Sequence, residues 1–390
     1  MSRLDELIVE FCPEGVEVKP LFKVGSFYGG LSGKSIDDFS NGNAKYITYM
    51  NVFSNPVINV EISDQVRIFE GERQNTLEYG DVIFTGSSET PNECGMSSVV
   101  TQKIEEKIFL NSFCFGLRFF DRNLFIPDFS KYLFRSEGIR KQIVQTANGV
   151  TRFNVSKKKM CEVQIPIPPL RVQQEIVHIL DNFTTLEAEL EAELEARKKQ
   201  FEYYRNSLLT FGDDVPRKKI GDVLKNGNAS NSISKNNYKL YGDFPIIDQS
   251  KSFFAGYTDD ETAIPPILPC IIFGDHTRIV KYSEQNFAQG DSGTKVFIPI
   301  DSSLNTKYIY YAFCNLDIKS RGYNRHWSIV KDMLIPIPSL EIQKEFVRIL
   351  DYFNSIVNDI SIGLPAEIVA RHKQYEYYCN KLLTFKVVKA

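Results

Sequence analysis

Histidine is scarce in this chain, with four in 390 residues, and tryptophan occurs once. A chain so poor in imidazole has few ready general bases or metal ligands. The seven cysteines, Cys12, Cys94, Cys114, Cys161, Cys270, Cys314 and Cys379, all stand more than three residues apart. That spacing excludes CxxC zinc and redox motifs, and scattered reduced thiols are expected rather than a disulfide framework. No stretch approaches the ~20 apolar residues of a membrane span. The opening MSRLDELIVEFCPEG carries acids and no long apolar run, so neither signal peptide nor anchor is expected and a cytoplasmic location is. Basic excess is missing as well: 46 Lys and Arg face 49 Asp and Glu, a net charge of −3. Composition therefore argues mildly against nucleic acid, and a case for it must rest on organisation and local chemistry. No GxGxxG opens a βαβ unit, and no [ND]PP[YF], Walker A or paired-carboxylate nuclease pattern is found. GGLSGKS (29–35) falls short of a P-loop because Tyr28 stands where GxxxxGK[ST] needs glycine. The chain reads as a binder without chemistry of its own.

What is present is an internal repeat. IPIPPLRVQQEIVHILDNF (165–183) returns as IPIPSLEIQKEFVRILDYF (335–353) at an offset of 170, and RKKQFEYYRNSLLTF (197–211) returns as RHKQYEYYCNKLLTF (371–385) at an offset of 174. One unit is used twice, with four extra residues in the middle of the second copy. The prolines before residue 170 delay the helix and suit its start. Each copy then reads as a helix of roughly 40 residues, about 60 Å long. In the first, Val172, Ile176, Ile179, Phe183, Leu186, Leu190, Leu194, Phe201, Tyr204, Leu208 and Phe211 recur mostly in threes and fours. In the second, Ile342, Phe346, Ile349, Phe353, Ile356, Ile360, Leu364, Ile368, Tyr375, Tyr378, Leu382 and Phe385 do the same, which is a coiled-coil seam. Helices this long need partners, and two-fold-related copies pair antiparallel. The alternating glutamates from Glu187 to Glu195 read as a solvated face. Gly363 and Pro365 should kink or break the second helix.

Residues 15–155 and 213–333 precede the helices and differ greatly from each other. VIFTG (82–86) and IIFGDH (271–276) each read as a short buried strand ending in a polar turn. KYLFRSEGIRKQI (131–143) and TKYIYYAFCNL (306–316) read as helices in corresponding places. The expected fold class is α+β: two mixed α/β domains alternating with two long helices that pair as an antiparallel coiled coil. A symmetric frame with two unlike heads suits a ligand read in two unlike pieces. Double-stranded DNA is such a ligand, with half-sites about one helical turn apart.

Candidate contacts follow. Lys34 and Ser35 make either a phosphate contact on a glycine turn or a plain surface turn. In GDHTRIVKY (274–282), Asp275, His276, Thr277 and Arg278 offer a DNA-facing loop, a metal or acid–base site, or a hydrogen-bonded strand end. In GYNRHWS (322–328), Asn324, Arg325 and His326 can address base edges, whereas Trp327 reads as packing. The counterpart ANGVTRFNVSKKK (147–159) offers Asn148, Arg152 and Asn154. Groove contacts are expected from Asn148 and Arg152, and phosphate contacts from Lys157, Lys158 and Lys159; a solvated basic turn is the alternative.

The paired IPIPPL…QQEI…ILD and RKKQFEYYRNSLLTF segments, the LEAELEAELEA run and the opening LDELIVEFCPEGVEVKPL together resemble specificity subunits of type I restriction-modification systems. The resemblance covers the whole chain. It implies target recognition domains at 1–155 and 213–333, each reading half of a bipartite, asymmetric DNA target. Helical spacers at 156–212 and 334–390 would set their separation and bind modification subunits. Such a chain works with two modification (methyltransferase) subunits and, for cleavage, two restriction subunits. The assembly is then a site-specific endonuclease and adenine DNA methyltransferase. S-adenosylmethionine, ATP and magnesium would belong to those partners, leaving this chain non-catalytic and without cofactor or metal. Two departures stand out: SIVKDMLIPIP is about three residues shorter than VSKKKMCEVQIPIP, and the second helix carries the Gly363–Pro365 interruption. The residues alone leave two other readings open, a DNA-processing enzyme with a site near His276 and a coiled-coil adaptor with two protein-binding heads.

Overall fold

The structure is a computed structural model that describes residues 3–358 and 363–388. The chain divides into two compact units, Met1–Glu189 with Val369–Ala390, and Leu190–Ile368. The units therefore part inside the repeated helices. No helix among the described residues is long and apolar enough to cross a membrane.

In the first unit, strands β1 (Gly25–Gly29), β2 (Val82–Thr85), β3 (Ser97–Val99) and β4 (Cys114–Phe119) form an antiparallel sheet in the order β1-β4-β2-β3. VIFT is buried along its whole length, as expected for a central strand flanked on both faces. Helix α1 (Pro127–Leu133) starts at a proline, whose missing N–H costs nothing at that position. Phe134, just after α1, packs edge-on to Phe84 at 5.5 Å in the centre of the core. The single helix expected over 131–143 is in fact two, with a break at Ser136. Its hydroxyl donates to Leu133 O at 2.7 Å, and its extended backbone starts a second helix at Glu137.

The second unit repeats this design with other letters. Strands β5 (Leu224–Asn226), β6 (Cys270–Gly274), β7 (Val280–Ser283) and β8 (Thr294–Pro299) again take the order of first, fourth, second and third. Helix α3 (Thr306–Cys314), numbered after the long helix α2 (Leu170–Leu208), is capped by Asn305, whose side chain accepts from the N–H groups of Lys307 and Tyr308. Phe313 meets Phe273 at 5.1 Å, as Phe134 meets Phe84. A smaller sheet is shared as well. Ala44–Ile47 and Phe244–Ile247 each pair antiparallel with one neighbour and parallel with another.

The IPIP segments are extended, as their prolines require. Gln164–Ile167 pairs with Glu17–Pro20, and Leu334–Pro336 pairs with Arg217–Lys219. Each leads into its helix, α2 or α4 (Leu340–Asn358). Here the repeated glutamine of QQEI and IQKE acts as a latch. Gln173 is fully buried; it accepts from Ile126 N at 2.9 Å and donates to Leu124 O and Pro168 O. Gln343 does the same for Asn305 N, Ser303 O and Pro338 O. A leucine at either position leaves three main-chain groups without these partners inside the unit. Gln173→Leu and Gln343→Leu are each expected to lower stability by roughly 2–4 kcal/mol in urea titration. A loss below about 0.5 kcal/mol would mean that the latch is ornamental.

The helices pair antiparallel within each unit. In the first, Phe183 of α2 stacks on Tyr378 of α5 (Leu364–Leu382) at 5.1 Å, and Glu187 meets His372. In the second, Tyr204 stacks on Phe353 at 5.1 Å, and Phe211 lies 5.3 Å from Phe346. Phe183 and Phe353 are repeat mates, as are Tyr204 and Tyr378, so one contact is made twice. The seam is not uniform. Val172, Ile176 and Leu180 of α2 are buried in the head's core, and Phe211 lies beyond the helix end. Gly363 stands just before α5, with Pro365 in its first turn, where proline is tolerated. Ile360, expected on the seam, lies outside the described residues.

Candidate nucleic-acid interface

In both units, the residues just after the buried central strand meet those just before a short helix and the IPIP strand. In the first unit, Ser87–Ser88 follows β2 and pairs with Phe153–Val155, which pairs in turn with Ala147–Asn148. The intervening hairpin turns at Gly149, with φ +146°, where a Cβ would stand 2.0 Å from Arg152 O; only glycine fits there. Asn148, Arg152 and Asn154 are all exposed on this hairpin. Arg152 donates to Ser87 Oγ through Nε and Nη2, at 3.2 and 3.0 Å, and covers the Phe113 ring. Ser156 caps the helix Lys157–Met160, which fixes Lys157, Lys158 and Lys159 on its exposed first turn. Lys159 reaches Asn148 Oδ1 at 3.2 Å, and Lys157 lies over the Phe115 ring.

Lys34 and Ser35 do not present a phosphate cradle. The Lys34 ammonium is spent on Glu72 and on Arg67 O at 2.6 Å, and its side chain is 4% exposed. The Lys34 contact, with hydrogen bonds from Gln74 and the Phe69 N–H, holds the Glu72 carboxyl down at about 2. Ser35 is tied to Asp38 Oδ2 through its N–H and hydroxyl, at 2.8 and 2.9 Å. The sequence showed the glycines of this turn but not the acid 38 residues downstream that takes the lysine.

In the second unit, the turn after β6 joins the loop before Trp327–Val330 through Asp275. This aspartate is 2% exposed. Its Oδ1 accepts from Trp327 N at 2.8 Å, its carbonyl from His326 N at 2.8 Å, and Lys295 stands 3.6 Å from Oδ2. His326 is fully buried. Its Nδ1 faces Asp275 O at 2.9 Å, and its Nε2 faces Arg321 N at 3.2 Å. His326 is therefore corrected from a base-edge contact to a positioning residue that pins two loops together. His276 stacks on Tyr323, with centroids 4.4 Å apart and planes 7° from parallel. Tyr323 is 83% exposed, and sequence reasoning passed over it. Thr277 donates to Gln249 O, and Arg278, at φ +66°, donates to Ile318 O at 2.8 Å. Asn324 and Arg325 are exposed, as are Thr277 and Arg278. Among the described residues, no three His, Cys, Asp or Glu side chains gather closely enough to hold a metal ion, around His276 or elsewhere. Trp327 packs on Phe297 at 4.1 Å and near Phe273 and Phe313, as its packing assignment requires.

Residues 13–196 and 213–370 match the family model described as the type I restriction modification DNA specificity domain. Among curated proteins, the chain is similar to the type I restriction enzyme EcoR124I/EcoR124II specificity subunit of Escherichia coli. The two are 33% identical over 264 residues, which are 60% of this chain and 64% of that protein. A putative type I restriction enzyme specificity subunit of Haemophilus influenzae is 35% identical over 265 residues, 61% of this chain and 68% of that one. The match to the Escherichia coli protein thus spans less than two thirds of its length. Among solved structures, one describing complex assembly and conformational transition of a type I restriction-modification system superposes with a TM-score of 0.66 at 16% identity, covering 96% of this chain and 98% of the other. A type I restriction-modification S subunit from M. genitalium superposes with a TM-score of 0.51 at 15% identity, over 94% and 96% of the two chains. At these identities the likeness speaks for the fold.

Proposed function

The chain belongs to the family of type I restriction-modification DNA specificity subunits, and from that premise we propose that its two heads read the two halves of a bipartite, asymmetric DNA target. The observation that carries this reading is the repeated site. One topology brings the same two segments together in each unit, and the side chains offered there are unlike. A hairpin bearing Asn148, Arg152 and Asn154, flanked by Lys157 and Lys158, serves the first head. Thr277, Arg278, Asn324 and Arg325, with the His276–Tyr323 stack, serve the second. Same place and different letters is what reading two different half-sites requires.

In this reading the repeated helices carry two modification subunits. Tyr203 and Tyr377 are repeat mates and are 67% and 60% exposed, so each copy offers a partner the same footing. Two restriction subunits join for cleavage, and S-adenosylmethionine, ATP and magnesium are held by the partners. The test is DNA binding by the reconstituted complex, with affinity falling steeply as salt rises. Cleavage or methylation by this chain alone would instead favour an enzyme around His276.

One substitution test belongs to the second head. Arg278→Ala or Arg325→Ala is expected to weaken binding of the assembled complex by about 1–3 kcal/mol, roughly 5- to 150-fold, if either arginine grips a base. Both side chains leave polar turns, so melting of the protein should barely move. Unchanged affinity in both variants removes this surface from the interface.

A further inference from the structure

Among the described residues of the first unit, two arginines carry a charge that no acid answers. Arg135 and Arg140 flank the turn at Ser136 and are half-buried. Their hydrogen bonds go to main-chain carbonyls: Arg135 to Ser97 O at 2.8 Å and Asn55 O at 2.9 Å, Arg140 to Asn92 O, Cys94 O and Gly95 O. Among the described residues, no carboxylate pairs with either guanidinium. Nearby acids are engaged elsewhere, Glu137 with Lys141, and Glu187 and Glu376 with His372. Desolvation, with the neighbouring Arg140 charge, pulls Arg135 down to about 10. Cations withdrawn from water are ordinarily paired.

Both arginines line a cavity of about 900 Å³ within this unit, whose other walls include Tyr132, Tyr375, Val57 and Met96 and the already paired Glu137 and Glu376. That volume is within the usual size of small-molecule sites, and the mix of apolar wall with a few convergent polar groups is what such sites show. The feature is not inherited from the repeat. Ile126 and Asn305 hold the same place on the glutamine latches. Counting nine residues on from each gives Arg135 in one copy and Cys314 in the other. A guanidinium fixed by carbonyls and without a carboxylate partner among the described residues is preorganised for carboxylate or phosphate.

We infer that this cavity is a binding site for a small organic anion, a phosphate or carboxylate borne on an apolar body that lies against Tyr132 and Tyr375. The inference stands apart from the DNA-reading role of the heads. It is tested on the full chain by thermal melting and calorimetric titration with inorganic phosphate, phenyl phosphate and benzoate, against chloride at matched ionic strength. Phenyl phosphate or benzoate should bind saturably, with one site, and outperform inorganic phosphate; which of the two wins tells phosphate from carboxylate. At 100-fold excess over Kd the melting temperature should rise by roughly 5–10 °C. Arg135→Met should abolish the rise, read against the variant's own melting temperature in chloride, because it also takes the donor from Ser97 O and Asn55 O. Lys157→Met, on the DNA-facing surface, should keep the rise. If Arg135→Met does not fold, Arg135→Lys is read instead: it keeps the charge, loses the fork, and should bind at least tenfold more weakly. No anion-dependent shift in wild type overturns the inference. So does a shift that survives in Arg135→Met, unchanged affinity in Arg135→Lys, or a shift lost in Lys157→Met.

Discussion

Two extra residues inserted after Glu193 are expected to break the helix pair, whereas four leave the protein folded. Two residues turn everything beyond them by roughly 200°, at about 100° per residue. Phe201, Tyr204 and Leu208, which face α4, would then point away from it. These side chains are partly exposed, so their contacts are worth less than full burial, roughly 2–4 kcal/mol together. That is a large share of the marginal stability of a domain. A four-residue insertion, one more LEAE, overshoots a full turn by only about 40°. The repeat carries a related four-residue difference, which in the second copy falls between Phe353 and Arg371, the stretch where α4 gives way to α5. Leu186, Leu190, Leu194 and Arg197 step by four, four and three, whereas Ile356, Ile360, Leu364, Ile368 and Arg371 carry an additional four. Arg197 donates to Gln200 at 2.8 Å and Arg371 to Gln374 at 3.1 Å, so repeat mates at the offset of 174 make the same local contact. Four residues add about 6 Å of rise, against ~3.4 Å per base pair. DNA twist and bending absorb part of that shift. The spacer between half-sites should lengthen by about one base pair, with both half-site sequences unchanged, as read by methylation-site sequencing. An unchanged spacer, or altered letters, would show that the helices are not the ruler.

The helical frame was legible because it is written twice in strongly periodic segments, and the repeated Phe183–Tyr378 and Tyr204–Phe353 contacts follow from that writing. The central strands were legible too, since VIFT and CIIFG are short, apolar and followed by polar turns. The candidate sites were legible only in part. Arg152 and Arg325 could be picked by residue type, but Ser87 could not, because it meets Arg152 across 65 residues through strand pairing. Sequence separation likewise hid the role of Asp275, which accepts from Trp327 N 52 residues later and takes His326 into the interior with it. Lys34 misled for the complementary reason: a glycine-rich turn looks open from its own letters, yet Glu72 closes it. Gln173 and Gln343 were visible as repeated letters. Their role was not, because it depends on carbonyls at Leu124 and Ser303, some 40 to 50 residues upstream.

The two-head account is tested most directly by exchanging residues 213–333 for the corresponding domain of another specificity subunit. The exchange is structurally lenient at its edges. Arg217–Lys219 meets Leu334–Pro336 through strand pairing, and main-chain hydrogen bonds do not depend on the donor's side chains. The donor should also reproduce the side chains that reach the retained segments, among them Tyr311 and Lys307, which meet Asp351 on α4 at 2.7 and 2.9 Å, and Tyr308, which donates to Pro336 O at 3.0 Å; the first head makes the tyrosine–aspartate contact from Tyr132 to Asp181 at 2.6 Å. The measurement is methylation-site sequencing after reconstitution with the modification subunits. The account predicts that one half of the recognised sequence is replaced by the donor's and that the other half and the spacer stay as they were. Altered recognition at both halves, or at neither, would contradict it.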